Sequence, residues 1–144
     1  MRLEGVYFIF ITSMVSNRLF DAPYCEIKER NDGIIYAKWK GFLKPGQVKT
    51  GCRFMTDYVR NNKITVHLSD HRDLRVLSKD VQDYLITEWF PEIENQGMKK
   101  IAALEAPDPF AKVTVDKVNK EAQVGNLIIR SFETEEDCIN WLLE

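Results

Sequence analysis

The 144-residue sequence is poor in the features that mark whole classes of protein. Its three cysteines, Cys25, Cys52 and Cys138, lie far apart, are odd in number and form no C-x-x-C pair. That spacing argues against a disulfide framework or a zinc knuckle and for free thiols in a reducing cytoplasm. The seven glycines are isolated, with neither G-x-G-x-x-G nor a P-loop, so no backbone cradle for a phosphate is encoded. Neither sign of charge dominates. Twenty Lys plus Arg stand against 22 Asp plus Glu, interleaved, for a formal net charge of -2. The basic footprint of a nucleic-acid binder is therefore missing, and "MKK" at 98–100 is too short to supply one. Long apolar runs are missing too. The stretch from Gly5 to Val15 is too short to span a bilayer, so no stable membrane insertion is expected. Arg2 precedes it as in a signal peptide, but Glu4 spoils the flank and no A-x-A-like cleavage site follows. Two readings of residues 1–19 stay open: an extra β-strand, favoured by the β-branched and aromatic content, or an upstream extension with Met14 as the start.

What is present is the composition of one globular domain, 44% hydrophobic and 29% charged, over residues 20–144. "YCEIKER" alternates in period two, "NDG" at 31–33 signals a hairpin, and "IIYAKWKGF" is a second β-rich run. A helix follows from Lys44, with Pro45 in its first turn and Val48, Cys52, Met55 and Val59 on one stripe. "KITVHLS" is the third strand. Ser78 caps a second helix whose Val81, Tyr84, Leu85 and Trp89 share a face, with Pro91 bending or ending it. "KKIAALEA" is the fourth strand. Asp108 and Pro109 open a third helix, with Phe110, Val113, Val118 and Ala122 as its apolar stripe. "NLIIRSF" is the fifth strand, and Thr134 caps a last helix that turns Cys138, Trp141 and Leu142 inward. Strands joined through helices run parallel. The sequence thus predicts a single α/β domain with a mixed, mostly parallel five-stranded sheet, its first strand antiparallel, and about four helices.

One segment, "HLSDHRD" at 67–73, concentrates titratable side chains of mixed type. On an extended strand residues i and i+4 lie about 13 Å apart, so His67 and His71 cannot hold one metal if both are in the strand. No further His or Cys pair completes a tetrahedron, so no metal is expected. No cysteine neighbours a histidine in sequence, and no G-x-S-x-G elbow occurs, so an enzyme is not expected either. The segment reads as a strand end, with Asp70 accepting backbone hydrogen bonds in the turn and Arg72 pairing with it or with Asp73. Its place outside the carboxyl end of a parallel strand is also where ligand and partner sites gather.

"GIIYAKWKGF", "LSDHRDLRVLSKDVQDYL" with "EWFPEI" and "GMKKIA", and the ending "RSFETEEDCINWL" together resemble the STAS-like family, the bacterial anti-sigma-factor antagonists of the SpoIIAA-like type, over nearly all of residues 20–144. The resemblance implies a cytoplasmic, non-enzymatic regulatory module that binds a protein and needs no cofactor. It makes Asp70, His71, Arg72 and Ser78 the expected partner-binding or regulatory residues. Ser78 stands where the antagonists carry a phosphorylated serine, although Lys79 and Asp80 follow it in place of the Asp-Ser-Ser/Thr-Gly signature. A carrier or sensor of a small apolar ligand or lipid, as the related CRAL-TRIO-like architecture would imply, is the alternative. Trp39, Phe42, Trp89 and Phe90 would then be its pocket walls. An enclosed apolar pocket would favour the carrier, and an exposed apolar patch beside Ser78 the protein binder.

Overall fold

The computed structural model describes residues 17–123 and 125–144. The expectations for the segment up to Val15 lie outside the described residues. Along the chain run β1 (Asn17–Ala22), β2 (Cys25–Glu29), β3 (Ile35–Gly41), α1 (Pro45–Asn62), β4 (Val66–Leu74) and α2 (Lys79–Tyr84). A π-helical turn (Leu85–Trp89) leads on to α3 (Phe90–Asn95), β5 (Lys100–Leu104), α4 (Pro109–Glu121), β6 (Ile128–Phe132) and α5 (Glu135–Leu142). The sheet has six strands rather than five, in the order of the chain. The added strand is β1, which pairs antiparallel with β2 from Asn17↔Glu29 to Ala22↔Cys25. β2 pairs antiparallel with β3, and β3 to β6 are parallel.

Local chemistry accounts for the helix ends. The Ser78 hydroxyl accepts from the Val81 N–H at 3.3 Å, the Asp108 carboxylate from the Phe110 N–H at 2.9 Å, and the Thr134 hydroxyl from the Asp137 N–H at 3.1 Å. Pro91 sits in the first turn of α3, where its missing N–H costs nothing. The strain that a proline places on the preceding turn is met by widening: the Phe90 N–H donates to the Leu85 carbonyl five residues back. The second helix is thus continued through Pro91 rather than ended.

Each parallel crossover steps the same way along the sheet. A constant right-handed connection therefore puts α1, the α2–α3 segment and α4 on one face. Val48, Cys52, Met55 and Val59 of α1 pack there with Val81, Trp89 and Ile93 against Ile27, Ala37 and Ile129. The opposite face receives α5 alone, whose Cys138, Trp141 and Leu142 cover Ile34, Tyr36, Leu68 and Leu104.

α4 presents a different face from the one its large side chains suggest. Its buried residues Ala111, Val115 and Val118 continue to Ala122 in steps of four, three and four, whereas Phe110 is 74% and Val113 67% exposed. Helical periodicity, which placed the stripe on Phe110 and Val113, is satisfied better by the smaller side chains. Gly51 of α1 lies against Trp39, and a Cβ there would stand 2.7 Å from the indole. The glycine is what lets helix and strand approach so closely.

Candidate functional site on the central strand

The segment read as a strand end is strand throughout. β4 continues to Leu74, and His67, Ser69, Asp70 and His71 are all buried. Its pairing with β3 runs from Ile35↔His67 to Lys38↔Asp70 and resumes at Lys40↔Asp73, so three steps of β4 oppose two of β3. This bulge at His71–Arg72 ends the simple alternation.

Before the bulge, alternation sends His67, Ser69 and His71 toward the three-helix face. There they line a cavity of about 60 Å³ whose other walls include Leu43, Leu74, Leu77 and Val115. Trp39, Trp89 and Phe90 also line it, while Phe42 does not and is 61% exposed. Of the lining residues only Leu85, in the π turn, is not fully buried, which places the cavity's nearest approach to the surface at that turn. His67 Nδ1 lies 2.9 Å from the Ile35 carbonyl and so donates to it, leaving Nε2 as the acceptor of a neutral ring. The ring stands edge-on to Trp89, whose Nε1–H donates to Thr56 Oγ1 at 3.1 Å. His71 Nε2 pairs with Ser69 Oγ at 2.7 Å. Burial in this apolar setting pulls both imidazoles down to about 4; the Ile35 carbonyl opposes this at His67, and Asp70 and Asp116 oppose it at His71. Asn119 of α4 reaches the same cavity. Among the described residues, two buried side-chain polar atoms lack a partner, His71 Nδ1 and Asn119 Nδ2, and both belong to residues of this cavity.

Asp70 faces the other way, toward α5. It is fully buried and accepts from the Tyr36 hydroxyl at 2.5 Å, from the Arg72 N–H at 3.0 Å and from the Arg72 guanidinium at 2.8 Å. Burial alone would raise its carboxyl, but these donors outweigh it and hold the group below its ordinary value. Burial and the donation to Asp70 push the Tyr36 hydroxyl up. Arg72 continues to Glu135 at 3.3 Å, which also meets Arg30 at 3.9 Å. Beyond the bulge, Asp73 pairs with Lys38 at 3.0 Å.

No protein-family model and no curated protein matches the chain. Solved structures do, two of them as follows. A proposed anti-sigma factor antagonist from Thermotoga maritima superposes with a TM-score of 0.61 at 12% identity, over 82% of this chain and 93% of that one. An uncharacterized DUF3478-family protein with a SpoIIAA-like fold, from Shewanella loihica, superposes with a TM-score of 0.51 at 14% identity, over 89% and 95%. The chain has the SpoIIAA-like, STAS-like fold. The architecture expected from the sequence resemblance is therefore present, with one more strand.

On this SpoIIAA-like framework the four expected regulatory residues do not form one site. Asp70 and Arg72 meet on the α5 side, His71 lies in the cavity on the other side, and Ser78 caps α2 after the segment that leaves β4. The carboxyl ends of the strands instead carry a shallow apolar groove formed by Phe42, Val76 and Phe110 with Gly41, Arg75 and Asp108. The Leu77 N–H donates to Thr114 Oγ1 at 3.1 Å, tying the segment before Ser78 to α4 beside this groove. Three residues escaped the sequence reading: Tyr36, Ser69 and Asn119. Alternation along β4 could have found Ser69 between the histidines, but nothing local marks Tyr36 or Asn119. Among the described residues no group of three or more His, Cys, Asp or Glu could hold a metal, and no helix is long and apolar enough to cross a membrane.

Proposed function

We propose that this chain is a non-enzymatic regulatory module that binds a protein partner at the carboxyl end of its sheet. The observation that carries this reading is the exposed apolar surface there: Phe42 at 61%, Phe110 at 74% and Val113 at 67% exposure, next to the segment that leads to Ser78. Exposed aromatic side chains grouped on one edge mark interaction surfaces more often than they occur by chance. Arg75 and Asp108 border the groove with one charge of each sign, so the partner would present apolar side chains flanked by charges of both signs. The Thermotoga relative, a proposed anti-sigma factor antagonist, supports a protein as the partner. A binding rather than catalytic role is supported by the chemistry of the potential nucleophiles. All three cysteines are buried and free, and burial pushes the Cys25 and Cys138 thiols up to about 12, far from the thiolate a nucleophile needs. Free thiols also suit a reducing cytoplasm.

Ser78 would regulate this surface, because a negative charge beside it alters a matched contact. Photo-crosslinking in the source cell tests the reading. A photoreactive residue at position 110 should give a discrete crosslinked protein that Phe42→Asp abolishes and Ser78→Asp weakens. The same probe at the exposed Glu121, on the far end of α4, should give none. Equal crosslinking at both positions would sink the proposal. A second role, as carrier or sensor of a small ligand, is supported by the cavity between the sheet and the three-helix layer.

A further inference from the structure

The cavity differs from an ordinary packing defect in what lines it. Packing voids in cores are apolar and stay dry, whereas this one leaves two hydrogen-bonding atoms without partners. His71 is 8% and Asn119 9% exposed, so bulk water does not reach these atoms. An orphaned buried polar atom is destabilising, and two among the lining residues of one cavity amount to a standing preference for an occupant that hydrogen-bonds. The lining also says what that occupant cannot be. It contains no lysine or arginine, and both its histidines are neutral, so a buried anion would have no countercharge. A buried cation would equally find no carboxylate among the lining residues.

What remains is a match of donors and acceptors. Asn119 Nδ2 is a donor, and His67 Nε2 is an acceptor because Nδ1 is committed to Ile35. His71 Nδ1 takes whichever role its bond to Ser69 leaves it: donor when the serine hydroxyl donates to Nε2, acceptor when Nε2–H donates to the serine. A carbonyl oxygen suits two donors, and a hydroxyl suits one donor and one acceptor. Leu43, Leu74, Leu77 and Val115 offer only apolar contact to the remainder of the molecule. An engineered cavity of about 150 Å³ takes benzene, so about 60 Å³ takes a polar head group with one or two carbons, and any longer body would have to extend toward Leu85 and the π turn.

We infer that the cavity between β4 and α4 binds a small uncharged molecule with an apolar body and one hydroxyl or carbonyl group, its polar end held by His71 and Asn119. The inference rests on the second reading above, in which the cavity is a ligand site, and specifies the ligand's chemistry. Titration of the 15N-labelled 144-residue protein at pH 7 with ethanol, acetone, acetate and xenon, followed by amide chemical shifts, tests both. The alcohol and the ketone should saturate at amides of β4, of Val115 to Asn119 and of the π turn, and acetate should bind at least tenfold more weakly. Asn119→Leu, which keeps the volume but removes the donor, should weaken the alcohol at least fivefold and leave xenon unchanged. If xenon and the alcohol bind but the variant affects neither, or if acetate binds as well as the alcohol, the cavity is a ligand site and the polar assignment is overturned. If no probe saturates, the orphaned atoms are met by internal water only, and both the ligand reading and this inference fail. The probe series on the unaltered protein decides the charge question whether or not Asn119→Leu folds.

Discussion

β4 buries polar side chains on both of its sides, and the two sides are finished differently. Toward α5, Asp70 is fully buried and receives the Tyr36 hydroxyl, the Arg72 backbone and the Arg72 guanidinium. Toward the three-helix layer, His71 and Asn119 are almost as buried, yet each keeps an atom with no partner. A satisfied buried charge specifies how strands and helices meet. Orphaned atoms beside a cavity do nothing for the fold and are tolerated where something else completes them. Polarity and burial alone therefore do not tell the two sides of this strand apart. Satisfaction does.

Acid should pull the two sides apart with the largest effect. His67 and His71 are held down to about 4 by burial, whereas in the unfolded chain they titrate near 6.5. Between those values the unfolded chain takes up protons that the native state refuses, so stability is full above pH 6.5 and falls as pH drops. The loss is about 1.4 kcal/mol per unit for each histidine, or roughly 3 kcal/mol for each by pH 4. Asp70 follows the opposite logic, its carboxyl lying below the ordinary value. Its contribution is present above the unfolded value near 3.9 and is lost only as pH falls below that. Urea unfolding from pH 7 to pH 3 should thus show two successive losses, and His67→Gln with His71→Gln should remove the first alone. An unchanged slope between pH 6.5 and 4 in that double variant would break the comparison.

Next in size is Asp70→Ala, which strands the Tyr36 hydroxyl and leaves Arg72 with Glu135 as its remaining carboxylate partner. Loss of one member of a fully buried pair costs about 3–5 kcal/mol, but Arg72 is half-exposed and can hydrate, so about 2–3 kcal/mol is expected. Tyr36→Phe, which leaves Asp70 its bonds from Arg72, should cost about 1 kcal/mol. Ser78→Ala touches neither side of β4. It should cost about 1 kcal/mol through the lost cap, while Ser78→Asp keeps the cap and stays near the original stability. The smallest effect is expected for Phe110→Ser, within about 0.5 kcal/mol by thermal melting, because the ring is 74% exposed. A large loss there would mean that the ring packs against something, and the groove could not be a free surface.

The parts of this molecule that were legible in its sequence are those set by neighbours in the chain. Ser78, Asp108 and Thr134 could be named as caps because a cap is one side chain and the next turn. The stripe of α1 could be named because four apolar residues repeat there without competition. In α4 the large Phe110 and Val113 competed with the modest Ala111 and Val115, and size was a poor guide to facing. β1 was missed because a six-residue strand is held by pairing across to β2, which no local pattern reports. The cluster at 67–73 was noticed, but its division between two faces depends on how far β4 runs and on the bulge at His71–Arg72. Neither is written in the cluster itself. Asn119 and Tyr36 join it from 48 residues after His71 and 34 before Asp70, distances that only the fold closes.

Strand order equal to chain order has a bearing on how the protein is made. Each strand from β2 onward adds to an edge already laid down, so no strand waits for a later one to be inserted between it and its neighbour. Each loop closed is thus no longer than one crossover, the shortest span that parallel pairing of these strands allows. The exception is α5, the last helix to emerge and the one that covers Tyr36, Leu68 and Leu104. Until Glu135–Leu142 has emerged, that apolar side of a growing sheet has no α5 to shield it. The interval before α5 emerges is therefore the one in which this sheet most needs protection from aggregation.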